Sequence, residues 1–215
     1  SIPDLPRVTF QGKVVVVLNE AEANKAVDFL LSSDILGIDS ETRPVFKKGQ
    51  HHKVALLQVS TRDICFLFRL NLIGMLPCII KLLEDTTVLK VGLSLHDDFM
   101  MLHQRADFKI GRFIDLQDIV KEFGIDDLSL QKLYANLFHE RITKRQQLSN
   151  WEAPILTEKQ KIYAATDAWA CIKIYERLQE LQKTQGYETI TVPEPEPKNT
   201  ESIDKTDAEF TQKND

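Results

Sequence analysis

A short apolar run that ends in two acids constrains this chain more than any other stretch. Residues 35–38 are apolar or glycine, and Asp39 and Glu41 follow directly, one residue apart. Alternate side chains of a strand point to the same side, so both carboxylates would project from one face at the end of the strand. Hard divalent cations are held by one or two such carboxylates, whereas an isolated Asp-x-Glu is more often an ordinary turn. The rest of the chain must decide between these two interpretations.

Length and charge describe one domain of ordinary size with an acidic extension. The chain has 215 residues, of which 43% are hydrophobic and 27% are charged, as in globular proteins with a proper core. Residues 1–186 carry equal numbers of acids and bases, whereas residues 187–215 account for the whole net charge of −5. The second segment alternates proline with glutamate and is poor in apolar residues. We therefore predict a folded domain over residues 1–186 and a disordered acidic tail over residues 187–215.

The sequence also argues against several classes of protein. No stretch approaches the ~18 consecutive apolar residues that a membrane span needs, so we expect no membrane partner. The three cysteines, at positions 65, 78 and 171, lack metal-ligand spacing, which favours a reducing intracellular compartment, the cytoplasm. A neutral domain argues against tight binding to duplex nucleic acid through charge alone, although a local basic face is compatible with neutrality. No pattern indicates an oligomeric state.

Hydrophobic periodicity predicts an α/β protein built on a mixed sheet. Two strands flank a short polar turn as a hairpin, and with the strand before them they form an antiparallel meander. Asn19, Ser129 and Thr157 precede helical patterns and are predicted N-caps. The predicted strands are residues 14–18, 35–39, 54–59, 64–68, 88–91 and 113–115, and the predicted helices are residues 20–32, 73–84, 96–102, 116–123, 129–138 and 158–183. This order indicates helices packed on the faces of one sheet.

Further acids lie on two predicted helices. Tyr163 and Asp167 are four residues apart and share one helix face, and the alanines around them allow close approach to a neighbouring surface. Asp98 lies in the first turn of another helix, after a strand and Gly92. Taken alone, the first pair is more often a packing detail, and the second acid is more often a helix cap. Together with Asp39, these residues supply the ligands that a metal site would still need.

The order of these residues resembles a known family. Asp39-x-Glu41, then Asp98, then Tyr163-x3-Asp167 is similar to the motif set of the DEDD superfamily, the DnaQ-like 3′–5′ exonucleases, in its tyrosine branch. The histidine branch would place histidine where this chain has isoleucine, at position 162. Residues 53–58 and 149–168 are similar to RNase D and to the exonuclease domain of the Werner syndrome protein. The resemblance covers about residues 14–181.

The resemblance implies a fold and a site. The fold would be RNase H-like, a central mixed sheet of an antiparallel meander plus parallel strands, flanked by helices. Two divalent metal ions, Mg²⁺ or Mn²⁺, would be cofactors. Asp39 would bridge both ions, Glu41 and Asp167 would complete the tighter site, and Asp98 would hold the second ion. Tyr163 would orient the attacking water, which makes all five residues catalytic. Four clustered carboxylates would otherwise repel one another.

The predicted activity is exonucleolytic hydrolysis of phosphodiester bonds at single-stranded 3′ ends of DNA or RNA, releasing nucleoside 5′-monophosphates. Thr42, Arg43, Lys53 and Arg145 are candidate substrate contacts because they flank the motifs. Trp151 is either a core anchor or a base-stacking platform. Two other functions are considered. One is a catalytically inactive nucleic-acid-binding or scaffold module of the same fold, and the other is a hydrolase of dinucleotides or other small phosphodiesters.

Overall fold

A six-stranded mixed sheet forms the centre of the computed structural model, which describes residues 1–125 and 129–185. The predicted tail, residues 187–215, and the domain boundary before it lie outside the described residues. The strands are β1 (Lys13–Val17), β2 (Ile35–Glu41), β3 (Leu56–Ser60), β4 (Ile64–Phe68), β5 (Leu89–Gly92) and β6 (Phe113–Asp115). Their order across the sheet is β1-β4-β3-β2-β5-β6.

The sheet combines the predicted meander with parallel strands. β3 runs antiparallel to both β2 and β4, whereas β1 pairs parallel to β4, β5 to β2, and β6 to β5. β5 pairs with β2 only over residues 35–37, so Asp39 and Glu41 extend past the end of β5. In open α/β sheets, ligands bind outside the carboxyl ends of parallel strands. The ends of β2, β5 and β6 therefore form the edge where a site is expected.

Seven α-helices among the described residues pack around this sheet. They are α1 (Glu20–Leu30), α2 (Leu70–Ile73), α3 (Pro77–Glu84), α4 (Leu95–His103), α5 (Leu116–Val120), α6 (Leu130–Phe138) and α7 (Glu158–Gln185). The prediction of one helix over residues 73–84 is wrong. Gly74, at φ +70°, ends α2, and Pro77 begins α3 as a first-turn proline. The predicted helix over residues 116–123 ends its α-helical part at Val120 and continues as a 3₁₀ turn.

The three predicted N-caps are confirmed by side-chain hydrogen bonds. Asn19 accepts from the Glu22 amide, and Ser129 accepts from the Lys132 amide. Thr157 accepts from the Gln160 amide, while the Gln160 side chain accepts from the Thr157 amide. This reciprocal pair is a capping box, which fixes the first turn of α7.

The two faces of the sheet pack against different helices. Leu36 and Ile38 lie in a core cluster with α1, α3 and α4, whereas Ile35 packs in a second cluster with α5, α6 and α7. Because side chains alternate along β2, Asp39 and Glu41 point to the side of α7, and Ser40 points to the side of α4. The acids of β2 and the acid of α4 therefore approach the end of β2 from opposite faces.

The crossing of α7 over β2 is unusually close. A Cβ atom added at Gly37 would lie 1.9 Å from the carbonyl oxygen of Ala168, so only glycine fits there. Ala164, Ala165 and Ala168 are fully buried in this contact. This backbone contact explains the alanine-rich stretch, because it brings Asp167 of α7 directly over the end of β2.

Candidate active site

Three carboxylates converge where α7 crosses the end of β2. Oxygen atoms of Asp39, Glu41 and Asp167 lie within 4.8 Å of one another. Glu41 and Asp167 are buried, and Asp39 is partly exposed. The three acids line one wall of a cavity of about 300 Å³, here called the acidic cavity. Its other walls come from Tyr163 and from residues of α6 and the segment after it.

The convergence makes ionisation of these acids unfavourable. Burial raises the pKa of Glu41 to about 9, the nearby charge of Asp167 adds to this, and a hydrogen bond from Gln58 opposes it. Burial raises the pKa of Asp167 to about 8, against a hydrogen bond from Tyr163 and the charge of Lys144. Burial, followed by the charge of Glu41, raises the pKa of Asp39 well above its ordinary value. A cation among them would reverse this electrostatic balance.

The acidic cavity fits a divalent cation. Oδ1 of Asp167 is buried and has no hydrogen-bond partner among residues 1–125 and 129–185. Within the same residues, none of the three acids forms an ion pair with a basic side chain. A buried oxygen without a partner is costly, and carboxylate oxygens are the ligands that hard divalent cations prefer. Asp39, Glu41 and Asp167 could therefore hold such a cation.

Asp98 lies beside this group rather than inside it. Its Oδ1 accepts a hydrogen bond from the hydroxyl of Ser40, on the face of the sheet that carries α4. Burial raises the pKa of Asp98 to about 6 against that hydrogen bond. Its charge contributes to the raised pKa values of Asp39 and Glu41, so it lies within electrostatic range of them. The neighbouring Asp97 is exposed, whereas Asp98 is partly buried.

Asp115 fixes the position of Asp98 and was missed by the sequence analysis. Its carboxylate accepts hydrogen bonds from the amides of Ser94 and Leu95, each at 2.8 Å, and from Gln117 at 2.9 Å. It thus holds the first turns of α4 and α5 together, while Ser94 adopts a left-handed conformation at φ 55°. An acid between a strand and a helix is a cap signature, so a signal for Asp115 existed.

Tyr163 lies one helical turn before Asp167 in the wall of the acidic cavity. Its ring is buried against the ring of Trp151, with centroids 5.9 Å apart. Burial and the charges of Asp167 and Glu41 raise the pKa of its hydroxyl above the ordinary value. The hydroxyl is therefore a neutral hydrogen-bond donor beside three acids.

Trp151 does not present a face to a substrate. Its side chain is 0% exposed, and its Nε1 donates to the carbonyl oxygen of Gln147. The buried guanidinium of Arg69 donates to three carbonyl groups of the same segment, those of Trp151, Ala153 and Pro154. A ring without exposed surface offers no platform for a base. The alternative of a stacking platform is thus contradicted, and Trp151 is a core anchor.

The other predicted substrate contacts lie around the acidic cavity but not in its wall. Thr42 and the exposed Arg43 follow β2. Nη1 of Arg43 lies 4.0 Å from Oε1 of Glu152, in residues 151–154, here called the Trp151 segment. Lys53 is exposed before β3, and Arg145 lines a different cavity. The wall opposite the acids includes Ser129, Gln131 and Gln147, which the sequence did not indicate as site residues, and Lys144, which flanks the motifs as a candidate phosphate contact. Of these, only Lys144 carried a signal, because it lies in a basic stretch.

Comparison with known proteins shows, over most of the chain, the family that the motifs resemble. A family model described as "3′-5′ exonuclease" matches residues 14–183. The "Bifunctional 3′-5′ exonuclease/ATP-dependent helicase WRN" of Mus musculus is 31% identical over 191 residues, which cover 84% of this chain and 14% of the mouse protein. The chain therefore spans a small part of that relative.

Solved structures share the fold at lower identity. The Nibbler EXO domain of Aedes aegypti has a TM-score of 0.76 at 19% identity, covering 84% of this chain and 95% of that domain. RNase D of Trypanosoma brucei, solved in complex with RNA U12, has a TM-score of 0.68 at 16% identity, and the match covers 87% of this chain and 77% of that chain. The predicted RNase H-like α/β fold is confirmed by these similarities.

Fold, site and family match define the class. The chain belongs to the 3′–5′ exonuclease family, in the DEDD group whose members use divalent metals. The predicted family is therefore confirmed. The described residues also contain no helix that is long and apolar enough to span a membrane.

Proposed function

We propose that this chain is a metal-dependent 3′–5′ exonuclease that releases nucleoside 5′-monophosphates from single-stranded 3′ ends of DNA or RNA. The observation that carries the proposal is the convergence of Asp39, Glu41 and Asp167, of which Glu41 and Asp167 are buried and Asp167 has a buried oxygen without a partner among the described residues. A scaffold needs no such group, because burying three acids without a counter-charge costs stability. Family membership of the matched region supports the same conclusion.

The proposed cofactors are two divalent ions, Mg²⁺ or Mn²⁺. Asp39, Glu41 and Asp167 would hold one of them, and Asp98, with Asp39, would hold the second after leaving the hydroxyl of Ser40. When bound, two such ions activate a water molecule and stabilise charge on the leaving oxygen of an in-line displacement. Gln58 supports this arrangement, because its hydrogen bond favours the ionised form of Glu41.

The chain's own groups would position the reaction. The neutral hydroxyl of Tyr163 can donate a hydrogen bond to the attacking water, and its ring is held by Trp151. Lys144 lies in the opposite wall, where its charge can meet a phosphate oxygen. No serine or cysteine with a positioned base was found in the motifs, so the displacement is proposed to be direct, with water as nucleophile.

The proposed path of the strand runs over the loop between β2 and β3. Thr42, Arg43 and Lys53 lie on this loop, and Arg43 together with His52 contacts Glu152 of the Trp151 segment. Phe46 is 79% exposed on the same loop and is followed by two lysines. An exposed aromatic ring among cations is the combination that binds unpaired bases. This favours single strands, and the stacking role moves from Trp151 to Phe46.

The cellular compartment is proposed from one observation, the state of the cysteines. The cysteines at 65, 78 and 171 are free. Free thiols are typical of a reducing intracellular compartment such as the cytoplasm. No membrane partner is proposed.

The test is digestion of 5′-labelled single-stranded DNA and RNA oligonucleotides with Mg²⁺ or Mn²⁺. We expect a ladder that shortens from the 3′ end and nucleoside 5′-monophosphate as the product. Asp39→Asn should reduce the rate to background while the circular dichroism spectrum is retained. The matched control is Asp63→Asn, since Asp63 is an exposed acid in the β3–β4 turn. Folded wild-type protein that degrades neither polymer with either metal would refute the proposal.

The two other functions give different results in the same experiments. A scaffold would show no saturable Mn²⁺ binding that depends on Asp39 in a calorimetric titration. A hydrolase of small phosphodiesters would turn over dinucleotides faster than matched longer oligonucleotides. Comparison of recessed duplex ends with single strands then tests the expected preference for unpaired 3′ ends.

A further inference from the structure

A second cavity shares Tyr163 with the acidic cavity. It encloses about 160 Å³ between the segment 7–9, the segment 142–146 and one face of α7. On α7, the residues Lys159, Ile162, Tyr163 and Thr166 follow helical spacing and form its floor. The cavity, here called the basic cavity, has no acidic residue in its lining.

Three cationic side chains surround the basic cavity. Arg7, Arg145 and Lys159 come from its three walls, and none forms an ion pair within residues 1–125 and 129–185. Elsewhere on the surface a cation is paired when acids are near, as Arg62 is with Asp34 and Glu176. Like charges gathered around one cavity repel one another, so an anion between them would be stabilised. Arginine forks match the oxygen geometry of phosphate.

The interior of the basic cavity suits a flat, partly apolar group. Val8, Ile142 and Ile162 line it together with the ring of Tyr163, and threonine hydroxyls supply polar positions. Thr166 is committed to the fold, because its hydroxyl donates to the Ile162 carbonyl and accepts from the Phe10 amide. An apolar cavity of about 150 Å³ binds benzene in another protein, so a single aromatic ring system is the right scale. A heterocycle inside and a phosphate at the cationic rim would satisfy both features.

We propose that the basic cavity binds a nucleoside phosphate, with its base against Ile142 and Tyr163 and its phosphate between Arg7, Arg145 and Lys159. The ligand is either a free mononucleotide or one nucleotide of a bound strand. Binding here does not depend on the metal-ligating acids, because they line a different cavity. If the proposed function also holds, a released nucleoside 5′-monophosphate could bind next to the side chain that orients the water, and so restrain turnover.

The binding test uses 5′-AMP and an inert phosphorothioate oligonucleotide, titrated calorimetrically in EDTA with the Asp39→Asn variant. We expect saturable binding without metal, weakened at least about tenfold by Arg7→Gln combined with Lys159→Gln, since charge-assisted hydrogen bonds are lost. The matched control is Lys161→Gln, which removes a charge on α7 that is paired with Glu158 and does not line the cavity. Thermal unfolding checks that each variant is folded.

The outcomes separate the two ligand sources and the two proposals. If the double variant weakens binding of 5′-AMP, the ligand of the basic cavity is a free nucleotide. If it weakens binding of the oligonucleotide alone, the ligand is a nucleotide within a strand. Binding that requires Mg²⁺ and Asp39, or that is unchanged in the double variant, would overturn the site. A chain without nuclease activity could still bind 5′-AMP in the basic cavity. The binding experiment and the nuclease experiment therefore test the two proposals separately. Adenosine and inorganic phosphate, each alone, should bind more weakly than 5′-AMP.

Discussion

The acidic and the basic cavities are neighbours of opposite charge, and the difference between them lies in burial. Both are lined by Tyr163, and the segment after α6 contributes to both, with Lys144 in the acidic wall and Arg145 in the basic one. Glu41 and Asp167 of the acidic cavity are buried, whereas Arg7 and Arg145 of the basic cavity are exposed. Buried like charges need a ligand in order to ionise, whereas exposed ones are screened by water.

This difference sets the size of the effects to expect. Removing one acid from a buried metal site removes a ligand that water cannot replace in geometry or charge. Removing one exposed cation removes a contact that neighbouring cations partly duplicate. Substitutions in the acidic cavity should therefore change rates by orders of magnitude, and those in the basic cavity should change binding by about tenfold.

The largest expected effect tests whether Asp98 belongs with the acidic cavity despite its hydrogen bond to Ser40. Asp98→Asn should lower the rate of oligonucleotide degradation by about 10³-fold, because the proposed second ion would lose one of its two protein ligands. Calorimetric titration with Mn²⁺ should show one fewer bound ion than in the wild type. Asp97→Asn is the matched control, since its carboxylate is exposed one residue away. Equal activity of the Asp98 and Asp97 variants would exclude Asp98 from the site.

The position of Asp98 also shows which part of the site could not be predicted from the sequence. The spacing of Asp39 and Glu41 predicts that they share a face, because strand periodicity is local. The face on which α4 packs depends on contacts distant in sequence, so the hydrogen bond between Ser40 and Asp98 was not predictable. Burial of Trp151 was not predictable for the same reason, because its segment contacts residues distant in sequence, such as Arg69, which donates to the carbonyl groups of Trp151, Ala153 and Pro154.

The fold shows a similar division. Strand positions followed from apolar runs to within about two residues, since each run is a local pattern. The pairing of β1 with β4 could not be predicted, because the residues of an edge strand do not specify which strand it pairs with. The close crossing at Gly37 was partly predictable. The alanines of α7 indicated a close neighbour, but only the structure identifies Gly37 as its counterpart.

The next effect in size concerns the residue that the two cavities share. Tyr163→Phe keeps the ring that lines both cavities but removes the hydroxyl. We expect kcat to fall by about 10²-fold, within the range for loss of a positioned proton-handling group. Mn²⁺ binding and metal-free binding of 5′-AMP should be retained, because the acids and the ring remain. A parallel loss of Mn²⁺ binding would show that the hydroxyl holds the acids in place rather than the water.

The smallest expected effect is the pH dependence of stability in the absence of metal. The pKa values of Glu41 and Asp167 are raised by burial to about 9 and about 8, from ordinary values near 4. A raised pKa in the folded state means that the folded protein binds protons more tightly than the unfolded chain. This contribution to stability is fully present below about pH 4 and is lost as the pH rises towards about 9.

In EDTA, the melting temperature should therefore decrease between these two limits, and Mn²⁺ should restore it, because the cation replaces the protons. Asp39→Asn should flatten the decrease, since one of the mutually repelling charges is gone. Arg7→Gln with Lys159→Gln should leave the pH profile unchanged, because the exposed cations of the basic cavity do not face the buried acids. A metal-free wild type whose stability rises over this range would contradict the assigned burial of Glu41 and Asp167. It would also remove the contrast between the two cavities.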